Sequence, residues 1–190
     1  EGPHARPNAE IVVPHLAVKA LVKLDAVDAC VSALGTDQRD MALWAMRYMH
    51  SPKVVDGMIK AYENTEDDVF KDKIIHTLAR IYHQEAPYDT SWWWSTRPDT
   101  HGPYYKTVEW DYTPVIRSFL REEWEKSSED EKELYAELNS KFRLAIDDFG
   151  TVEITAPKED MPTVDLEKIK NKKGQIGEAS IEDIMIALKS

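Results

Sequence analysis

The residues best suited to chemistry or recognition lie together between positions 87 and 112, APYDTSWWWSTRPDTHGPYYKTVEWD. Trp92, Trp93, Trp94, Tyr104, Tyr105 and Trp110 supply flat apolar faces, and Arg97, Asp99 and His101 supply directional polar groups. Rings of this kind stack on sugars or fill partner pockets, while a guanidinium and a carboxylate fix orientation. Consecutive side chains diverge in direction, so three adjacent Trp cannot all point inward, and at least one is expected at a surface or interface. The competing reading is a roof over an open end of the helical body. Each buried ring would then contribute about 1.5–3 kcal/mol, with Arg97 and Asp99 locking the loop around Pro98 through an ion pair.

Asp89, Asp99, Glu109 and Asp111, with His101, offer acids and a base in the same stretch. Glycoside hydrolysis needs two carboxylates at a fixed separation, which spacing within a loop does not establish. No complete catalytic constellation is visible, so the segment is expected to be non-catalytic; an enzyme site completed by further domains is the alternative. His4, His15, His76 and His101 show no His-x-x-x-His spacing. His50 and His83 are expected to end helices, where the dipole favours an imidazolium. Neither a metal nor a cofactor is expected in this segment. Cys30, among Val27, Val31 and Leu34, reads as a buried structural thiol.

The elements that must carry this stretch are helices. Hydrophobic residues make up 42% and charged residues 31%, a globular balance, and no run is long enough to span a bilayer. The net charge of −11 argues against nucleic acid, which requires a basic surface. The opening EGPHARPNAE has no signal-peptide pattern, and both ends are expected to lie inside a longer polypeptide.

Residues 1–10 read as an extended lead-in and 11–148 as a helical domain. Ala17, Val18, Leu21, Val22 and Leu24 mark a first helix; Val27, Cys30, Val31 and Leu34 mark a second, closed by Gly35 in a left-handed turn. Thr36 is the expected cap of a third, with Met41, Trp44, Ala45 and Tyr48 on its inner face. Ser51-Pro52 restarts the chain into a helix burying Val54, Val55, Met58, Ile59 and Tyr62. Thr65 and Asp68 resemble a capping pair for a helix through Phe70, Ile74, Leu78 and Ile81. After the aromatic stretch, Val115, Ile116, Phe119 and Leu120 mark another helix. A Ser128–Glu131 capping box then opens a long one through Leu134, Tyr135, Leu138, Phe142 and Ala145 to about Asp148. Residues 149–190 read as an extended arm: TVEIT as a short strand or extended piece, 156–178 as a linker, and a last short helix from Ser180.

These helices recur in pairs. Val-Asp-small-x-x-x-Ala appears at 27–33 and again at 55–61, a spacing of 28, and Arg47 and His50 recur as Arg80 and His83, a spacing of 33. Helix pairs at such periods predict an all-α, HEAT-like α-α superhelix, each unit burying its face against its neighbours. A non-repeating helical bundle fits the same pattern. The connection of roughly 25 residues at 87–112 is too long for a helix–helix turn and reads as an insertion in the third pair.

The run W-W-W-S-T-R-P-D-T-H-G-P-Y-Y-K at 92–106 resembles a W-W-x-T-R-P-D-T-x-G-P-Y-Y motif. That motif looks like one from the large multidomain dehydrogenase–cytochrome c proteins of Planctomycetes and related bacteria. Those chains join a sugar-dehydrogenase-like β-propeller, a HEAT-like helical region and a haem domain with a Cys-x-x-Cys-His site. The resemblance implies a scaffold or docking module between such domains, in a periplasmic or extracellular protein. Its partners would be neighbouring domains or a partner protein, with carbohydrate as the rival ligand. The segment has no Cys-x-x-Cys-His, so any haem c would belong to an adjacent domain.

Overall fold

The computed structural model describes residues 9–90, 104 and 106–153, which form part of one compact unit, Glu1–Ile154. Residues 1–8 of the expected lead-in, the linker at 156–178 and the helix expected from Ser180 lie outside the described residues; Ala9 and Glu10, expected in the extended lead-in, instead open the first helix. The described chain is mostly helical: α1 Ala9–Lys23, α2 Val27–Ala33, α3 Arg39–Met46, α4 Pro52–Glu63, α5 Asp68–Arg80, α6 Thr113–Lys126 and α7 Glu129–Phe142. Two short strands, β1 His83–Glu85 and β2 Thr107–Glu109, separate α5 from α6, and a 3-10 turn at Asp147–Phe149 follows α7. No helix among the described residues is long and apolar enough to cross a membrane.

The helices pack in two rows. α1 lies on α3, α3 on α5 and α5 on α7; α2 lies on α4. Tyr62 extends the second row from α4 to α6, its ring edge-on to Phe119 at 5.1 Å and its hydroxyl donating to Glu123 at 2.8 Å. The core between the rows holds Met46, Val54, Val55, Met58, Ile74, Leu78, Ile116, Leu120 and Leu138, all essentially without solvent contact. Ion pairs link successive members of a row: Asp28 of α2 with Lys53 of α4 at 2.9 Å, and Asp40 of α3 with Lys73 of α5 at 2.8 Å. Both are exposed and add little energy. α2 and α4 approach closely because Gly57, the small residue of the repeated Val-Asp-small pattern, has no Cβ. One built there would sit 2.9 Å from both Val31 methyls.

Several local expectations are met. Pro52 stands at the first turn of α4 and the Ser128–Glu131 capping box is complete; Ser51 occupies the N-cap position of α4, but its hydroxyl, expected to cap the helix, makes no capping hydrogen bond. Phe70, Ile74, Leu78 and Ile81 are all buried, as is Cys30, whose thiol burial pushes up.

Other expectations are corrected. Among the side chains described in α1 (residues 14–23), Val18 is the buried one; Ala17 and, just past the helix, Leu24 are exposed, since the main packing partner of α1 is α3. The buried face of α3 is Ala42, Leu43, Ala45 and Met46, with Tyr48 exposed and Met41 and Trp44 half-buried. α3 is flanked by both α1 and α5, so its inner face is wider than one stripe. Ile59 and Tyr62 of α4 are half-buried, and Val115 of α6 is exposed. The left-handed turn falls at Asp25 (φ 48°), whereas Gly35 does not take a positive φ. The Thr36 hydroxyl binds the Ala33 carbonyl and the Gln38 N–H and does not cap α3 directly. The cap of α5 is Asp67, whose carboxylate accepts from the Phe70 N–H at 3.1 Å. Arg39 reaches the same carboxylate at 2.5 Å and holds it well below the usual range, with the Phe70 N–H assisting.

The long helix stops at Phe142, not near Asp148. Arg143 is left-handed (φ 53°), as is Ala145 (φ 56°), which is exposed. Buried Asn139 makes this stop possible. Its amide donates to the carbonyls of Ile146 (3.0 Å) and Gly150 (2.6 Å), and its oxygen accepts from the Ile146 N–H (3.2 Å). Beyond Gly150, residues 151–153 are exposed and form no strand; the Val152 N–H donates to Ser140 Oγ at 2.8 Å.

Two substitutions test this packing by urea denaturation. Asn139→Ala leaves buried backbone groups without partners and should cost about 2–4 kcal/mol with an unchanged m-value. Gly57→Ala should raise helix propensity yet destabilise by about 1 kcal/mol net, because the added methyl overpacks Val31.

Candidate functional site: the root of the aromatic insert

α5 ends at Arg80, and the chain passes through buried Ile81 and Tyr82 into β1. β2 returns antiparallel, with His83 opposite Glu109, Gln84 opposite Val108 and Glu85 opposite Thr107. The ladder is extended by the Ala86 N–H on the Lys106 carbonyl at 2.8 Å. This ribbon is the root of the insert, so the connection begins four residues earlier than position 87.

A helix end leaves carbonyls without intrahelical donors. Here four consecutive carbonyls each meet a side-chain donor. The Tyr104 hydroxyl donates to Arg80 O (3.4 Å), the Trp110 indole N–H to Ile81 O (2.8 Å), and the buried Thr113 hydroxyl to Tyr82 O (2.6 Å). His50 Nε2 lies 2.8 Å from His83 O. A carbonyl only accepts, so His50 carries its proton on Nε2. Nε2 is also 3.2 Å from the Tyr104 oxygen, which therefore accepts from it while donating to Arg80 O. Thr113 also accepts from the Trp110 backbone N–H at 3.0 Å, which ties the start of α6 to the same junction.

The rings enclose these bonds. His50 is edge-on to Trp110 at 5.3 Å and tilted against Tyr104 at 5.9 Å, and Tyr112 stacks on Trp110 at 5.8 Å. The Arg80 guanidinium lies 5.1 Å from the Tyr48 ring centre and 6.0 Å from that of Tyr104. Opposite them, Arg117 donates to the Tyr82 hydroxyl at 2.6 Å and pairs with Glu109. Burial dominates the electrostatics. It lowers His50, with Arg80 adding to the shift against the His83 carbonyl; it lowers His83; and it pushes Tyr104 up to about 12. At neutral pH the root is a set of neutral hydrogen-bonding rings.

Of the residues singled out from sequence, Tyr104 and Trp110 are brought together here. Trp92, Trp93, Trp94, Arg97, Asp99, His101 and Tyr105 lie outside the described residues. Among the candidate acids, Asp89 is 3.4 Å from Lys106, Glu109 is paired with Arg117, and Asp111 is exposed. His50 and His83 do not end helices: His50 follows α3 in an irregular segment and His83 lies in β1. Their role is hydrogen bonding as neutral rings rather than dipole stabilisation. His50 and Thr113 were missed as site residues; the 33-residue recurrence of Arg-x-x-His was the one sequence signal that pointed to His50 and its partner His83. No group of three His, Cys, Asp or Glu side chains suited to a metal is present among the described residues.

No family model, curated protein or solved structure matches the chain.

The lowered histidines set a pH dependence. His50 and His83 protonate less readily folded than unfolded, where histidine titrates near about 6.5. His76 of α5 shifts the same way, to about 4. The unfolded state therefore binds more protons as pH falls below about 6.5, and stability is lost through that window. Thermal melts should show a lower Tm at about pH 5 than at about pH 7.5, and His50→Gln, which keeps a donor for the His83 carbonyl, should flatten the slope.

Proposed function

We propose that this chain is a non-catalytic helical-repeat scaffold that presents its aromatic insert as a docking element. The partner would be a neighbouring domain of the same polypeptide or a separate protein. One observation carries the reading. The insert's root satisfies every carbonyl from Arg80 to His83 and is clamped by His50, Trp110, Thr113 and Arg117. Whatever the insert presents is thereby held on a rigid helical platform, and preorganisation of this kind favours recognition.

A HEAT-like superhelix is supported by the two rows of helices and by contacts at the repeat spacing. Arg39 pairs with Asp67, and Asp40 with Lys73, each joining one unit to the next. The motif at 92–106 extends the proposal to a parent of the exported dehydrogenase–cytochrome c type. In that reading the module positions redox domains outside the cytoplasm, and haem c belongs to an adjacent domain.

The triple variant Trp92→Ala, Trp93→Ala, Trp94→Ala tests the docking role. It should leave the Tm of the helical body within about 2 °C, while acrylamide quenching should show accessible indoles in the parent chain. A large loss of Tm with indoles shielded from quencher would make the insert a roof and sink the docking proposal. Binding on a glycan array that the triple variant abolishes would replace it with carbohydrate recognition.

A further inference from the structure

α1 is the first helix of its row and carries two apolar faces. On the inner one, Val18 is buried in the core and Leu21 and Val22 pack against it. Leu16, Ala17, Ala20 and Leu24 make the other, and all four are exposed, Leu16 at 56% and Leu24 at 77%. At 3.6 residues per turn these four fall within an arc of about 100° on the side opposite Val18. The Leu24 N–H donates to the Ala20 carbonyl at 2.9 Å, so Leu24 prolongs the helical stripe. A single exposed leucine is ordinary, whereas a continuous apolar stripe marks an interaction surface.

The row indicates what suits such a face. α3 packs against α1 and α5, a helix to either side, and an arc of this width on α1 seats one more helix in the same way. α2, which opens the other row, exposes Asp28, Ala29 and Ser32 and no large apolar side chain. One helix, rather than a further helix pair, therefore covers the apolar surface. Charge narrows the occupant. The chain carries 35 acids against 24 basic residues, yet no acid stands between Glu10 and Asp25. Lys19 and Lys23, both exposed, border the stripe on its Leu16 side. Lys23 also complements the C-terminal end of α1, but Lys19 stands a turn earlier.

Flanking charges of this kind set the partner and register of packed helices. A second copy of α1 would bring the same lysines to the seam and no carboxylate to meet them. A helix edged with Glu or Asp supplies both the apolar stripe and the opposite charge. We propose that the outer face of α1, formed by Leu16, Ala17, Ala20 and Leu24 and bordered by Lys19 and Lys23, docks an amphipathic helix of a partner protein whose apolar stripe is flanked by carboxylates.

Fluorescence anisotropy of the full chain with two labelled model peptides tests this. One peptide has three Glu-Leu-Ala-Ala-Leu-Glu-Gln heptads, which set a leucine stripe between glutamates; the other has Lys in place of each Glu. The glutamate peptide should bind about tenfold tighter than the lysine peptide. The double variant Lys19→Glu, Lys23→Glu should reverse that order. Leu16→Ser with Leu24→Ser should weaken binding by about tenfold. Both leucines are exposed, so this variant should keep the parent helix content and Tm. Absence of binding, equal affinity for the two peptides, or affinity indifferent to the leucine variant would overturn the site. So would a dimer of the chain alone, seen by sedimentation equilibrium and abolished by the leucine variant, which would assign the face to a second copy.

Discussion

The structure depends on how the end of α5 is closed. Four carbonyls, from Arg80 to His83, run past the last helical hydrogen bond into a largely buried junction. An unpaired buried carbonyl costs about 1–3 kcal/mol, so leaving several open would consume much of a domain's net stability. The chain answers with side chains from three places: His50 from the segment after α3, Tyr104 and Trp110 from the insert, and Thr113 from the start of α6. The insert is therefore part of the structural solution at its base, whatever its tip does. This also explains why a helical body carries a two-stranded ribbon. The ribbon brings residues 104–113 back to the helix end they cap.

The same junction links the rows. Thr113 and Arg117 of α6 hold Tyr82, while His50, which follows α3, holds His83. Helix order thus rests on polar bonds at the helix ends as well as on the apolar core. The ion pairs between neighbouring helices of a row repeat this logic at the surface, where each contributes less because water screens it. At the far end, Asn139 does for α7 what the insert does for α5, taking up backbone groups where the helix gives way to irregular chain.

At the root of the insert, the four carbonyls from Arg80 to His83 all meet side-chain donors and burial keeps the imidazoles neutral, which suits a structural anchor, although the buried Nδ1 of His83 has no partner. Among the described residues, the buried Nε of Arg47 and Nδ1 of His76 are likewise without hydrogen-bond partners.

Local chemistry made much of the helical layout legible. Ser51-Pro52, the Ser128–Glu131 box and the Phe70, Ile74, Leu78, Ile81 stripe act within one or two turns, and each was readable from neighbours in the chain. The paired spacing of 28 and 33 residues likewise announced which helices lie side by side. What tertiary structure alone decided was where a helix meets more than one neighbour or a distant partner. The width of the buried face on α3 follows from its place between α1 and α5. The end of α7 follows from Asn139 reaching forward to residues 146 and 150. His50 and Thr113 belong to the site only because folding brings them to carbonyls 33 and 31 residues away. Periodicity and caps are properties of short stretches, and so they are written in the sequence. The identity of a hydrogen-bond partner across the fold depends on which groups water has been removed from, and only the packed chain determines that.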